Sequence, residues 1–291
     1  SDDLRDTLRG SNSNSSKPGY INGAGGFTGN IKAGFFGTPS WCKSPTQTVN
    51  YASCHDGYTL YDRITLATPD ASEADRIKMN NLAAAVVLTS QGTPFIHAGE
   101  EMLRSKPLED GSFDHNSYKS SDTVNNLKWA DLSQEQYQIT YAYYQGLIAF
   151  RAAHDAMRMT TEAEVLSAMS AVDAGSNNVI VLLNKGGNGE QAEILSIFNA
   201  DAAEQTVTLP EGKWDIYVEG DKSGTAVLRS AEGTVTVEAI SAMVLVNGNV
   251  EAKPGAEPGN DWVLWVIIGG SVALVAAAAV VTVILIKKRK K

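Results

Sequence analysis

Cysteine is scarce in this sequence of 291 residues, since only Cys42 and Cys54 are present. Two thiols exclude a framework of several disulfides and a zinc site built from four cysteines. They leave open whether the pair forms one disulfide or stays as two free thiols. No spacing of acidic and amide side chains specifies a calcium site, so calcium binding stays open and no metal or cofactor is predicted.

Basic residues are also few outside the C-terminus. Residues 287–291 are all basic, and the other 19 Lys and Arg residues stand against 33 Asp and Glu residues, a net charge of −14. Binding to a phosphate backbone requires a basic surface, so we expect no nucleic-acid partner. The opening residues, SDDLRDTLRG, lack the apolar segment of a signal peptide. We therefore expect a processed N-terminus or a piece of a longer protein.

Charge is absent from residues 262–286, a run of 25 residues. As a helix this run would be roughly 37 Å long, enough to cross a hydrocarbon core of ~30 Å. Trp262 and Trp265 lie at one end and the basic residues 287–291 at the other, which predicts a single-pass helix with a cytoplasmic tail. A buried core helix is the less favoured alternative. The expected location is the cell membrane, with lipid as a partner and residues 1–261 outside the cell.

The composition changes along the chain and predicts further boundaries. Residues 251–261 are rich in Pro and Gly and predict a linker. Residues 161–250 contain short apolar runs separated by turns with Gly, Asn or Pro, which predicts an antiparallel β-sandwich. The predicted strands are 178–184, 192–198, 205–209, 213–218, 234–238 and 242–246. No cluster of catalytic residue types lies in this part, so we expect it to be a packing domain.

In residues 1–160, and most clearly from residue 40 onwards, predicted strands alternate with helices. Ser72 with Asp75, and Ser133 with Gln136, form two patterns that are typical of a helix start. The predicted strands, 48–53 and 93–96, should be parallel because a helix connects them. Two such units are too few for a closed barrel.

Polar side chains follow both predicted strands. His55 and Asp56 come after the first strand, and His97, Glu100 and Glu101 come after the second. The carboxyl ends of parallel strands meet at one edge, so these side chains should lie close together. The structural alternative is that Asp56 caps a helix beside a solvated histidine.

Four segments show a resemblance to a known family. VNYASCHDGYTLYDRI resembles the fourth signature region of the α-amylase superfamily, and QGTPFIHAGEEMLRSKP resembles the eighth strand of its barrel and the following loop. FDHNSYKSSDTVNNLKW and LIAFRAAHDAMR complete this pattern. The first of these two segments and the opening SDDLRDTLRG are most similar to type I pullulanases. The implied fold class is the C-terminal part of a (β/α)8 TIM barrel, an antiparallel β-sandwich and one C-terminal transmembrane helix.

The resemblance also implies roles for individual residues. Asp56 matches the carboxylate that stabilises the transition state, and His55 matches a residue that binds sugar hydroxyls. Asn116 and Tyr118 fall in a loop that contacts substrate in that family. Gly57 departs from the family, whose members usually have Asn there. Glu100 and Glu101 are expected to be structural, as partners of the next helix start.

Two carboxyl groups of the family are missing from the sequence. No segment before residue 48 resembles the strands that carry the nucleophilic Asp and the general-acid Glu. Retaining glycosidases need both groups, so we expect this chain alone to be inactive. The expected function is that of part of a cell-surface debranching enzyme that hydrolyses α-1,6-glucosidic linkages in pullulan, starch or glycogen with retention. The alternatives are an α-amylase or amylopullulanase, and a non-catalytic, membrane-tethered glucan-binding protein.

Overall fold

The computed structural model describes residues 2–248. The helices in this range are α1 (Asp2–Arg9), α2 (Thr28–Phe36), α3 (Leu60–Ala67), α4 (Glu73–Thr89), α5 (Asp122–Asn125), α6 (Glu135–Ala153) and α7 (Glu162–Ala168). The strands are β1 (Val49–Asn50), β2 (Thr93–Pro94), β3 (Met169–Val172), β4 (Val179–Asn184), β5 (Glu193–Asn199), β6 (Gln205–Thr208), β7 (Trp214–Glu219), β8 (Lys222–Ser223), β9 (Arg229–Ala231), β10 (Thr234–Val237) and β11 (Ser241–Asn247).

Strands β1 and β2 form a parallel pair, as the sequence predicted. Val49 pairs with Thr93 and Asn50 with Pro94. The ladder is shorter than predicted, because each strand keeps only two residues in regular pairing. The fully buried Asn50 fixes the pair to its surroundings, since its Nδ2 donates to the Gln91 carbonyl at 2.9 Å and to the Gly34 carbonyl at 3.0 Å.

Helices α4 and α6 form the core of the helical layer. Ser72 caps α4, because its Oγ accepts a hydrogen bond from the Asp75 backbone N–H at 3.1 Å. From Met79 to Thr89 every residue of α4 is buried, so the helix is enclosed on all sides rather than on one stripe. The second predicted cap is wrong. Ser133 ends a short 3₁₀ helix, and α6 begins after Gln134 without a side-chain cap.

A seven-stranded antiparallel sheet covers the helical layer. Its order is β3-β4-β5-β11-β7-β8. Strand β9 lies on the same side of β7 as β8 and pairs with the first three residues of β7. Alternate side chains of β4 point to opposite faces, so Ile180 and Leu182 pack against the helices while Val181 and Leu183 pack on the other side. The two-stranded sheet of β6 and β10 covers that second side and completes a core around Trp214. The sandwich is therefore unequal, with seven strands facing two.

The fold class predicted from the sequence needs correction in its membrane element. No helix within residues 2–248 is long and apolar enough to cross a bilayer. The longest of them, α6, has 19 residues but carries charged Glu135 and Arg151 and packs on protein. Residues 262–286, together with the predicted linker and basic tail, lie outside the described range. Residues 2–248 therefore form helical and β-sheet layers, and none of their helices crosses a membrane.

Candidate functional site

The turn that carries His55 and Asp56 lies between β1 and α3. Gly57 has a φ of +84°, a left-handed conformation that glycine adopts without strain and that Asn also tolerates better than most residues. Thr59 is the N-cap of α3, because its Oγ1 accepts a hydrogen bond from the Asp62 N–H at 3.1 Å. Asp56 is therefore not a helix cap, and its carboxylate is available for another role.

All four residues proposed from the sequence line one cavity of about 390 Å³. His55 and Asp56 come from the turn after β1, and Asn116 and Tyr118 come from the long connection between β2 and α6. The sequence also placed His97 at this edge, and it lines the same cavity. The remaining lining residues are Arg104, Lys106, His115, Ser117 and Asn125.

Asp56 is the one carboxylate among the lining residues within the described range. Its side chain is 86% exposed, and the His55 side chain is 83% exposed. The His55 Nε2 and Asp56 Oδ2 atoms lie 3.4 Å apart. Both groups therefore reach into the open cavity, where a ligand could contact them.

His97 is an uncharged imidazole at neutral pH. Burial lowers its pKa from 6.5 to about 4, and the positive charges of Arg104 and Lys106 act in the same direction. The Arg104 Nη1 lies 3.4 Å from the His97 Nε2. A neutral imidazole has one acceptor nitrogen and one N–H group, so His97 Nε2 can accept a hydrogen bond from this guanidinium while its Nδ1–H donates to a hydroxyl group of a ligand.

Lys106 connects the two loops of the site, and the sequence reasoning missed it. This buried side chain donates from Nζ to the Ser117 Oγ at 2.7 Å, and its backbone N–H donates to the Asp62 Oδ2 at 2.9 Å. Burial lowers the pKa of Lys106, and the charge of Arg104 adds to that effect. The signal in the sequence was a lysine in the segment that follows β2. Its position beside Ser117 depends on how the connection between β2 and α6 folds back on itself.

A second carboxyl group, Glu100, lies beneath the cavity rather than in it. Glu100 is 6% exposed, and its Oε2 accepts a hydrogen bond from the Ser53 Oγ at 2.6 Å. The Tyr144 hydroxyl donates to its Oε1 at 3.3 Å. Burial raises the pKa of Glu100 from 4.5 to about 7, against the lowering effect of these hydrogen bonds. Glu101 has the local role that the sequence suggested, since its Oε2 accepts the Gly99 N–H at 3.0 Å.

Within residues 2–248 no cluster of His, Cys, Asp and Glu is arranged to hold a metal ion. Cys42 and Cys54 are both free thiols. The chemistry that the cavity offers is therefore hydrogen bonding and charge from one carboxylate, three imidazoles, two amides, two hydroxyl groups and two cationic side chains.

Comparison with known proteins supports one family. The family described as "Pullulanase, all-beta domain" matches residues 168–222. A pullulanase of Bacillus subtilis (strain 168) is 32% identical over 170 residues, which is 56% of this chain and 23% of that protein. The solved pullulanase from Bacillus acidopullulyticus superposes with a TM-score of 0.79 at 34% identity, over 85% of this chain and 30% of that chain.

A second solved structure carries a bound oligosaccharide. The pullulanase from Anoxybacillus sp. LM18-11, complexed with maltotetraose, matches with a TM-score of 0.74 at 29% identity, over 85% of this chain and 35% of that chain. The chain thus spans about a quarter to a third of the length of these relatives. These matches support a fragment similar to the type I pullulanases of the α-amylase superfamily of glycoside hydrolases.

Proposed function

We propose that this chain is part of a pullulanase-like enzyme that hydrolyses α-1,6-glucosidic linkages in branched α-glucans. The observation that carries the proposal is the cavity, which gathers Asp56, His55, Asn116 and Tyr118 from segments more than 50 residues apart. These residues come from two of the segments that resemble the pullulanases. The bound maltotetraose in the Anoxybacillus relative supports a glucan as the ligand.

In the proposed mechanism Asp56 stabilises positive charge on the sugar ring. Retaining glycosidases pass through a transition state with oxocarbenium character, and a fixed carboxylate beside the ring lowers its energy. His55 lies next to Asp56 and can bind hydroxyl groups of the same sugar. Asn116 and the 75% exposed ring of Tyr118 offer an amide and a stacking surface on the opposite loop.

We propose that the described residues alone do not hydrolyse the bond. A retaining mechanism needs a nucleophile and a general acid about 5–5.5 Å apart. Within residues 2–248 the cavity contains only the carboxylate of Asp56. Glu100 does not supply a second one, because it is buried and bonded to Ser53 and Tyr144.

The proposal is tested with Asp56→Asn in the complete enzyme that contains this chain. Turnover of pullulan should fall by ~10²–10³-fold, the usual effect of removing one preorganised group, while binding of starch persists. Asp70→Asn is the matched control, because Asp70 is an exposed carboxylate outside the cavity. It should leave turnover unchanged.

Near-normal turnover in the Asp56→Asn enzyme would refute the role of Asp56. Wild-type activity on amylose that exceeds activity on pullulan would favour an α-amylase over a debranching enzyme. The anomeric form of the first product, followed by NMR, decides between retention and inversion.

A further inference from the structure

A second cavity, of about 420 Å³, lies where the helical layer meets the seven-stranded sheet. It is bounded by α4, α6, the turn between β7 and β8, and the start of β11. It shares no lining residue with the cavity that contains Asp56. Its volume is within the range of roughly 300–1,000 Å³ that is usual for small-molecule sites.

Two buried polar side chains, Asn81 and Tyr143, line this cavity. Asn81 is 6% exposed, and its enclosed Oδ1 accepts no hydrogen bond. Tyr143 is 1% exposed as a residue, but its hydroxyl is not among the enclosed atoms without a partner, so it can form a hydrogen bond inside the cavity. Buried polar groups are nearly always paired, and leaving one unpaired is costly. A ligand hydroxyl group can bond directly to the Tyr143 hydroxyl, and a rotation of the Asn81 side chain would bring its Oδ1 to the same ligand.

The rest of the lining indicates an uncharged ligand with an apolar face. Ile77, Leu82 and Ile139 provide aliphatic surface. At the rim, the Glu219 carboxylate is engaged by the Arg229 guanidinium, with N···O distances of 3.1 Å from Nε.

The other rim charges balance one another, because Asp221 and Glu238 stand with Lys78 and Lys222. This balance favours neither an anion nor a cation. A sugar ring has C–H groups that suit the aliphatic wall and hydroxyl groups that suit amide and carboxylate acceptors.

We propose that this cavity is a second, non-catalytic glucan-binding site that takes a glucosyl residue. The choice of glucan rests on the proposed function of the chain. A polymer that occupies this site and the Asp56 cavity together is held more strongly than at either one, because the second contact is intramolecular. The site would also join the helical layer to the sheet through Asn81 and Ala242.

The experiment is a titration of the 291-residue chain with maltotetraose, followed by NMR of the Asn81 side-chain amide. Tyr143→Phe removes only a hydroxyl and keeps the Asn81 amide as the probe. Asn81→Leu removes the amide at similar volume, so its affinity is measured by calorimetric titration with maltotetraose instead. Each should weaken binding at this site about three- to tenfold, as the loss of one hydrogen bond between neutral groups predicts. Asn116→Leu, in the other cavity, should leave this site unchanged. Circular dichroism checks that each variant is folded.

An Asn81 amide signal that does not move with maltotetraose would overturn the inference, as would unchanged affinity in Tyr143→Phe. Pullulan hydrolysis by the complete enzyme tests the proposed function separately. If the enzyme debranches pullulan and Asn81 does not respond, only the second site is refuted. If it does not debranch pullulan and maltotetraose still binds at Asn81, the proposed function fails and the second site stands.

Discussion

The buried carboxyl group of Glu100 should make the stability of this protein fall as the pH rises. Burial raises its pKa from 4.5 to about 7 in the folded chain, so the folded state binds the proton more tightly than the unfolded state does. The stabilising contribution is complete below pH 4.5. It is lost progressively as the pH rises through about 7. Replacement by Gln removes the titration while keeping a side chain of the same shape.

The size of the effect follows from the two pKa values. Each pKa unit corresponds to about 1.4 kcal/mol, so a rise from 4.5 to about 7 changes the free energy of unfolding by about 3 kcal/mol. Other charged groups modulate this value. The charge of Glu101 raises the pKa of Glu100 and that of Arg9 lowers it, while the Ser53 and Tyr144 hydroxyl groups lower it by donating hydrogen bonds.

Urea unfolding of the full chain at pH 5 and pH 8 measures this effect. Between these pH values the free energy of unfolding of Glu100→Gln should increase relative to wild type by roughly 2–3 kcal/mol, because a small part of the effect is already lost at pH 5. Glu101→Gln is the control, since Glu101 is a partly exposed neighbour with a local hydrogen bond to Gly99. Parallel pH dependences for wild type and Glu100→Gln would refute the reasoning, and so would an equal shift in Glu101→Gln.

Two further predictions concern the contact between the His154 and Glu190 side chains and the N-terminal cap of α4. Glu190→Ala should destabilise the chain by roughly 1–3 kcal/mol in urea unfolding, because buried His154 and the Ala156 N–H lose the carboxylate to which they are hydrogen-bonded at 2.6 and 2.9 Å. An unchanged free energy of unfolding would contradict this. Ser72→Ala should cost about 1 kcal/mol through loss of the cap on α4, while Ser133→Ala, which removes no cap, should be near neutral. Equal losses in the two serine variants would contradict the assigned helix starts.

The main strands of the sheet were predictable because β4, β5 and β11 are apolar on both faces and β7 alternates between apolar and polar side chains. The observed β4, β5, β7 and β11 begin or end within one residue of the predicted runs. The order of the strands was not predictable. The last strand, β11, lies between β5 and β7 in the large sheet, whereas β6 and β10 pair with each other in a separate sheet. Apolar periodicity identifies which faces are buried and does not identify partners. The short strand β8 (Lys222–Ser223) carries no apolar pattern and was missed.

The two helix starts show a similar limit. Ser72 and Ser133 have the same local pattern, yet only Ser72 accepts the hydrogen bond of a cap. In the second case the chain from Trp129 to Ser133 turns as a 3₁₀ helix before α6 begins. Local propensity is overridden there by the path of the preceding loop.

The candidate site was partly predictable for a related reason. His55, Asp56 and His97 follow two parallel strands, so their meeting at one edge follows from the sequence pattern. Asn116 and Tyr118 came from the family resemblance alone. Lys106 and Arg104 were missed because their contacts with Ser117 and Asn125 join distant parts of the connection between β2 and α6.

The exposure of Asp56 determines where its proposed role can be observed. Two unit charges 4 Å apart interact by about 1 kcal/mol in bulk water and by about 4 kcal/mol at an effective dielectric constant of 20. Within the described residues the Asp56 side chain is 86% exposed, so its charge interacts as in bulk water. A loss of ~10²–10³ in rate, about 3–4 kcal/mol, requires the stronger interaction at the lower dielectric constant. Bound glucan and further protein surface must therefore exclude water from Asp56 before its charge can stabilise the transition state. It follows that Asp56→Asn should affect turnover by the complete enzyme strongly and glucan binding by this chain only weakly.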